Sequence, residues 1–427
     1  MLAGDQPGWA SVPREPLVLI FAALPLPDRT LTIGAVCSWW RSVSLDHVSD
    51  LLQDLSLNRV PLFAQRTWFL TNFHQQLASF VGWLLRRSGG IRRLSLTTER
   101  WQGDDQAVNL RLAVAEVVGP RLEVLRLVCT DSGHATSAFL SAGCCLRELQ
   151  LDYWGRSNRL PAALAACTAL TKLSVQCSGG LEHCQALSSL AALQDLSVCD
   201  CNWQSIPGAL LRLPLTRLHL RFADLSGTDW LPADAARLAT SLQELSLPGC
   251  QICTVPWQLA QLTALTSLML DRNYFRSLPT SLSRLSRLQA LSCEGCSNLL
   301  ELPDALVANL PLRSLNLQYS GVLRLPVPQN QALKGVAGVD GVDYMRHLTE
   351  LRWGVAEWEQ RRPAADLSGV PAAAERRPDL LPLLQAPCLR VLRLSHLPAD
   401  SQPQVEMLRQ RLHQLQRLVV NSAVLVE

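Results

Sequence analysis

Lysine is nearly absent from this chain. Its 427 residues hold two, Lys172 and Lys334, and arginine carries almost all the positive charge. Charge as a whole is sparse, with 18% of residues charged against 48% hydrophobic, which excludes a disordered chain. The net charge of +3 leaves too small an excess to suggest nucleic acid as a partner. Long apolar runs are missing too. The longest, Leu17 to Leu26, is too short to span a bilayer and contains Pro25, so no membrane is expected. The opening MLAGDQPGWASVPREP has no basic region followed by an apolar core, and no secretory signal is expected. The 14 cysteines are therefore read as reduced, and the expected compartment is cytoplasmic or nuclear. Catalytic motifs are also lacking: no nucleophile elbow, no HExxH pair, no phosphate-binding glycine loop. An enzyme is not expected, and no cofactor is implied.

What the chain does have is leucine at a fixed period. Leu265 to Arg287 reads LxxLxL, then Asn273 eight positions after the first Leu, then Phe275, Leu278-Pro279, Leu282 and Leu285. From Leu288 the pattern restarts, with Cys296 in place of the Asn and a later Leu302-Pro303. In LxxLxL the leucines point inward, and the residues between them face the other side of a parallel sheet. Asn273 can turn inward and bond backbone groups of the adjacent coil, where no strand partner remains. A coil with about seven buried apolar side chains cannot offset the entropy of ordering itself, so coils must stack. The pattern is that of the leucine-rich repeat.

Strands are expected to open at Ile91, Leu122, Leu146, Leu170, Leu193, Leu215, Leu242, Leu265, Leu288, Leu312, Leu348, Leu389 and Leu415. From Leu122 to Leu312 the spacings are 24, 24, 23, 22, 27, 23, 23 and 24 residues. The Leu160-Pro161, Ile206-Pro207, Val255-Pro256, Leu278-Pro279, Leu302-Pro303 and Leu325-Pro326 pairs mark return arms that are extended or irregular rather than long helices. Two later intervals swell to 36 and 41 residues. Their Pro-, Gly- and Ala-rich stretches, near 327–347 and 357–387, are expected as surface insertions.

Ahead of the repeats at 91–427, residues 1–11 are expected as a flexible N-terminus and 12–48 as a helical unit. Leu17, Ile20, Phe21 and Leu24 lie at helical spacing, and Pro25 and Pro27 end that helix. Asp28 can cap a second helix, and Ser38 a third that carries Trp39, Trp40 and Val43. VPREPLVLIFAALPLPDRTLTIGAVCSWWRSV resembles an F-box through Pro13, Ile20-Phe21, Leu24-Pro25, Asp28, Val36-Cys37 and Trp40. The resemblance covers about 35 residues and implies docking on a SKP-type adaptor, and through it on a cullin. It assigns adaptor contact to Pro13, Leu17, Ile20, Phe21, Leu24, Pro25 and Trp40. Residues 49–90, with an apolar stripe of Leu77, Phe80, Val81 and Leu84, are expected as a helical linker and solenoid N-cap.

Cys250-x-x-Cys253 and Cys293-x-x-Cys296 have the spacing of a zinc site. Register argues against it. Cys250 and Cys296 stand at the Asn position of their coils, and an intervening coil separates the pairs by roughly 10 Å. No metal is expected. On the concave face, Glu148, Lys172, Asp195, Arg217 and Glu244 form a row that can pair laterally. Arg221 has no acidic neighbour in its own row. His219, Arg221 and Phe222 on one strand, with Arg272 and Tyr319 at the Phe222 position of later coils, are the expected partner-binding residues.

The expected fold is α/β: a three-helix F-box followed by a leucine-rich-repeat solenoid, a horseshoe with a parallel concave sheet. The expected function is substrate recognition in an SCF-type cullin ubiquitin ligase, with an unknown protein held on the repeats. The alternative is a leucine-rich-repeat interaction scaffold unconnected to ubiquitination.

Overall fold

Each opening leucine described is followed by a short strand, and within each of two compact units the strands bond their predecessors in the same register. The computed structural model describes residues 54–56 and most of 91–426; within that second range the longest intervals left out are 98–114, 130–136, 154–159, 326–346 and 356–379. The expected F-box at 12–48 and the stripe from Leu77 to Leu84 lie outside the described residues. So do most of the two expected insertions.

The chain forms two compact units, one ending at Leu193 and one beginning at Gln194. In the first, β1 (Asp54–Ser56), β2 (Arg93–Thr97), β3 (Val124–Cys129), β4 (Glu148–Tyr153) and β5 (Lys172–Leu181) pair in parallel in chain order. The second holds β6 (Asp195–Cys201), β7 (Arg217–Arg221), β8 (Glu244–Ser246), β9 (Ser267–Met269) and β10 (Ala290–Ser292). It continues with β11 (Ser314–Ser320), β12 (Glu350–Val355), β13 (Val391–Ser395) and β14 (Arg417–Val420), again parallel in chain order. Leu94, Leu125, Leu149 and Leu173 lie side by side in the first unit. In the second, Leu196, Leu218, Leu245, Leu268, Leu291, Leu315, Leu351, Leu392 and Leu418 do the same. None of these leucines is more than 2% exposed. The stacked leucines are the core, and the alternate residues of each strand are left on an open face.

Return arms are short 3-10 helices, among them Ala162–Ala166, Ala233–Leu238, Trp257–Gln261 and Thr280–Arg284. Pro161, Pro232, Pro256 and Pro279 stand at their N-caps with extended backbone. Proline fits there because its missing N–H is not needed, while its carbonyl accepts the first bond of the turn. Leu164 N–H donates to Pro161 O at 3.0 Å and Leu282 N–H to Pro279 O at 3.1 Å.

Four features depart from the sequence reading. β1 lies inside the stretch expected to be helical linker, and pairs with β2 through Leu55 opposite Leu94. Leu52-x-x-Leu55-x-Leu57 is an unrecognised copy of the repeat. The second insertion ends earlier than 387, since Leu381–Gln385 is an ordinary return arm with Leu383 fully buried. The arm before β14 is an α-helix, α1 (Gln402–Arg411), burying Val405 and Leu408. Finally, β15 (Ala423–Val426) folds back antiparallel on β14, so the sheet is not parallel to its end.

The corner after each strand is where backbone groups lose strand partners, and one position answers for them. Asn273 is fully buried. Its Nδ2 donates to Leu247 O and Leu270 O at 2.8 Å each, and its Oδ1 accepts from Ile252 N at 3.0 Å. The same position holds Cys201, Ala223, Cys250, Cys296 and Ser320 on other coils, all buried. Cys250 Sγ donates to Leu220 O at 3.2 Å, Cys296 Sγ to Leu270 O at 3.1 Å, and Ser320 Oγ to Leu317 O at 2.9 Å. Burial pushes the Cys250 thiol up to about 11, so it stays a protonated donor. Two of the four thiols whose spacing suggested a metal, Cys250 and Cys296, are thus occupied as corner donors. Replacing Asn273 by Ala should cost about 2–4 kcal/mol, because the carbonyls of two coils and one amide lose their partner. Asn273→Cys should cost less, since a thiol there can reach a carbonyl of the preceding coil. Urea unfolding midpoints in the order Asn, Cys, Ala would bear this out; equal midpoints for Cys and Ala would not.

Candidate functional site

The open face is lined by the residues between the inward leucines, and the rows set their neighbours. Asp195, Arg217 and Glu244 stand side by side in the second unit. Arg217 Nε and Nη2 donate to Asp195 Oδ2 at 3.0 and 2.9 Å, and these bonds raise the guanidinium's already high pKa. The charge of Arg217 is therefore spent locally, as its row requires. In the first unit Glu148 and Lys172 are neighbours in register.

Seven residues after the opening leucine, the backbone turns left-handed on coil after coil of the second unit. Asp200, Phe222, Gly249, Arg272, Gly295, Tyr319 and His396 have φ of 58°, 55°, 66°, 55°, 70°, 57° and 56°. Glycine adopts this conformation freely, whereas a residue with a Cβ is strained by about 1 kcal/mol or more. The two glycines make beds for their large neighbours. A Cβ on Gly249 would sit 2.9 Å from Cδ1 of the Phe222 ring, and one on Gly295 would sit 3.2 Å from Cγ of Arg272.

Between these side chains lies a pocket of about 210 Å³, lined by Arg221, Phe222, Pro248, Asp271, Arg272 and Glu294. The Arg221 guanidinium is 5.4 Å from the Phe222 ring centroid, a cation–π distance. Phe222 is 48% exposed. The acids of the floor are engaged: Asp271 Oδ1 accepts from Ser292 Oγ and from Glu294 N, and Glu294 Oε2 accepts from Asn316 Nδ2 at 2.9 Å. Arg221 and Arg272, in contrast, make no ion pair among the described residues. The pocket thus offers two guanidinium groups and an aromatic face to whatever enters it.

Three of the residues expected to bind a partner, Arg221, Phe222 and Arg272, meet at this pocket. His219 does not line it; it is half-buried on β7 between Ser197 and Ser246. Tyr319 stands apart on β11, its ring 5.3 Å from that of His396. Pro248, Asp271 and Glu294 stand six residues after their opening leucines, as Arg221 does, but sequence reasoning assigned no role to them or to His396. The recurrence of glycine at 249 and 295, in the column of Phe222 and Arg272, was the available signal.

No protein-family model matches the chain. A stretch of 162 residues, 36% of the chain, is 28% identical to TMV resistance protein N of Nicotiana glutinosa, and covers 14% of that protein's length. Among solved structures the chain is similar to a leucine-rich-repeat protein of Leptospira interrogans, at 19% identity and a TM-score of 0.47, over 89% of this chain and 92% of that one. An internalin of Listeria monocytogenes gives 15% identity and a TM-score of 0.49, over 83% and 95%. With TM-scores below 0.5, the weight falls on the chain's own register of leucine strands and corner donors. The fold is that of a leucine-rich-repeat solenoid. Among the described residues no His, Cys, Asp and Glu side chains group as a metal site, and no helix is long and apolar enough to cross a membrane.

Burial raises the Asp271 carboxyl above its ordinary 3.8, outweighing the bonds from Ser292 and Glu294. The folded state therefore favours the protonated acid, and ionising it as pH rises through and above 3.8 works against folding. Asp271→Asn keeps an acceptor oxygen and removes that charge. It should raise the melting temperature at pH 7, and the gain should shrink as pH falls and vanish well below 3.8, where both states of the parent are protonated. A melting-temperature difference that does not vary with pH would contradict this.

Proposed function

We propose that the chain is a protein-interaction scaffold that holds its partner on the open face of the second unit, at the pocket of Arg221, Phe222 and Arg272. The observation that carries this reading is two arginines without ion pairs beside an exposed aromatic ring in one concavity. Arginine and aromatic side chains on a rigid surface are favoured anchors of protein interfaces. Charge-assisted bonds from a guanidinium are strong and directional, so the segment captured should be acidic or phosphorylated. Arg221→Glu should weaken capture of the native partner at least tenfold while leaving the melting temperature nearly unchanged, because Arg221 is exposed on the open face. Undiminished capture in a pull-down with this variant would move the site elsewhere.

The finer reading is substrate recognition in an SCF-type cullin ubiquitin ligase. What supports it is the F-box resemblance of residues 12–48, above all Leu24-Pro25 and Val36-Cys37-x-x-Trp40, which a simple solenoid cap would not need. On this reading Pro13, Leu17, Ile20, Phe21, Leu24, Pro25 and Trp40 serve a SKP-type adaptor. The partner held on the repeats is ubiquitinated because it is kept close to the ligase. The chain supplies no chemistry of its own. Corner thiols that donate hydrogen bonds as free cysteines fit a reducing compartment, cytoplasm or nucleus. Trp40→Ala should abolish co-precipitation of the adaptor and leave the repeat units folded, as judged by the melting transition. Full adaptor binding by that variant would leave the scaffold reading standing alone.

A further inference from the structure

The open face of the second unit carries another set of cations, on β12 and β13. Arg352 and Arg393 are neighbours in register, about 4.8 Å apart at sheet spacing. Like charges placed so work against the sheet. Arg352 has a local remedy, since its Nε and Nη2 bond Glu350 Oε1 at 2.9 and 2.8 Å. Arg393 has none. It makes no ion pair among the described residues, and its Nε is buried without a hydrogen-bond partner. Its neighbour on the far side is Val419. A buried guanidinium N–H without a partner is costly, and turning the group toward an incoming carboxylate removes that cost.

The ends of the same strands join this cation to the pocket. Gly354 of β12 has no room for a side chain, because a Cβ there would strike Ser395. Over it, Gln318 Nε2 donates to Ser395 Oγ at 2.8 Å, and the Tyr319 and His396 rings meet. β11 and β13 thus touch across β12. The Tyr319 ring, 39% exposed, lies between Arg272 and Arg393 in strand order.

We infer that this face binds a single acidic peptide segment at two points, the pocket arginines and Arg393, with Tyr319 as a shelf between them. The inference rests on the interaction role proposed above and names the chemistry of the partner. From β9 to β13 are four strand steps, about 19 Å. Extended chain covers that distance in about six residues. Two acidic groups some six residues apart therefore fit both points at once. A continuous polyanion such as nucleic acid fits worse, because Asp271 and Glu294 on the pocket floor repel phosphates placed between the anchors.

The test uses the full chain and two labelled peptides of equal composition, EEGSGSGEE and EEEEGSGSG, in a fluorescence anisotropy titration at low salt. The spaced peptide should bind at least fivefold tighter than the clustered one. Arg393→Gln should erase that preference while leaving the weak binding of the clustered peptide, and Arg393→Lys should keep most of it. Equal affinities for the two peptides, or a preference that survives Arg393→Gln, would overturn the two-point site. A nine-nucleotide oligothymidylate displacing the spaced peptide at matched charge would overturn the choice of a peptide. None of these results touches the scaffold role, which fails only if Arg221→Glu leaves capture of the native partner intact.

Discussion

Everything in the second unit depends on how the corner of one coil is bonded to its neighbours. The strands bond themselves, but the chain must leave the sheet after a few residues, and its backbone groups are then buried without ladder partners. Asn273 meets this need with both ends of its amide, serving Leu247, Leu270 and Ile252 together. Cysteine meets part of it, donating to one carbonyl of the preceding coil from Cys250 and Cys296. Ser320 bonds only within its own coil, its Oγ donating to Leu317 O and accepting from Val322 N–H. Ala223 contributes no side-chain bond at all. The corner is therefore graded in strength along the stack. Weaker corners are tolerable because each coil is also held by the leucines and strands on both sides.

The same corner explains why the candidate site lies where it does. To bring the corner residue inward, the residue before it must turn left-handed, and its side chain is thrown outward onto the open face. Glycine would serve that turn on every coil at no strain. Phe222, Arg272, Tyr319 and His396 take it instead, each with φ between 55° and 57°. The glycines that do occur, at 249 and 295, lie under Phe222 and Arg272 and leave room for them. Large side chains are thus held in a strained position where they add nothing to the core. Strain kept where packing gains nothing is what a binding surface would be expected to show.

Much of this was legible in the sequence, and the limits have physical causes. The leucine period fixes strand register, and register alone places Arg217 beside Asp195 and leaves Arg221 without an acid directly beside it in its row. The inward role of Asn273 follows from the same count. The left-handed column was not legible, because nothing in the residue types Phe, Arg or Tyr favours that conformation; the glycines, with Asp200 and His396, are the members of the column that hint at it. β1 was missed because Leu52, Leu55 and Leu57 stand 39 residues ahead of the next opening residue, Ile91, outside any regular spacing. β15 was missed because an antiparallel return needs a turn at Asn421, with φ 47°, rather than a leucine at a set position.

The division of labour between the two faces of each strand follows from these constraints. Inward leucines cannot change without opening a cavity, so they hold the strands rigid and say nothing about partners. Outward residues are free to change in pairs, and their charges show which have been settled internally. Arg217 and Arg352 are each bonded to an acid one strand away or two residues away. Arg221, Arg272 and Arg393 are not. An ion pair on an exposed face adds little to stability, so leaving the exposed Arg221 and Arg272 unpaired costs the fold little, whereas Arg393 carries the cost of a buried Nε without a partner. All three are left able to bond an anion that arrives from outside. A surface on which some arginines are neutralised and others are left open, with aromatic rings set between the open ones, is specified for a partner rather than for the sheet beneath it.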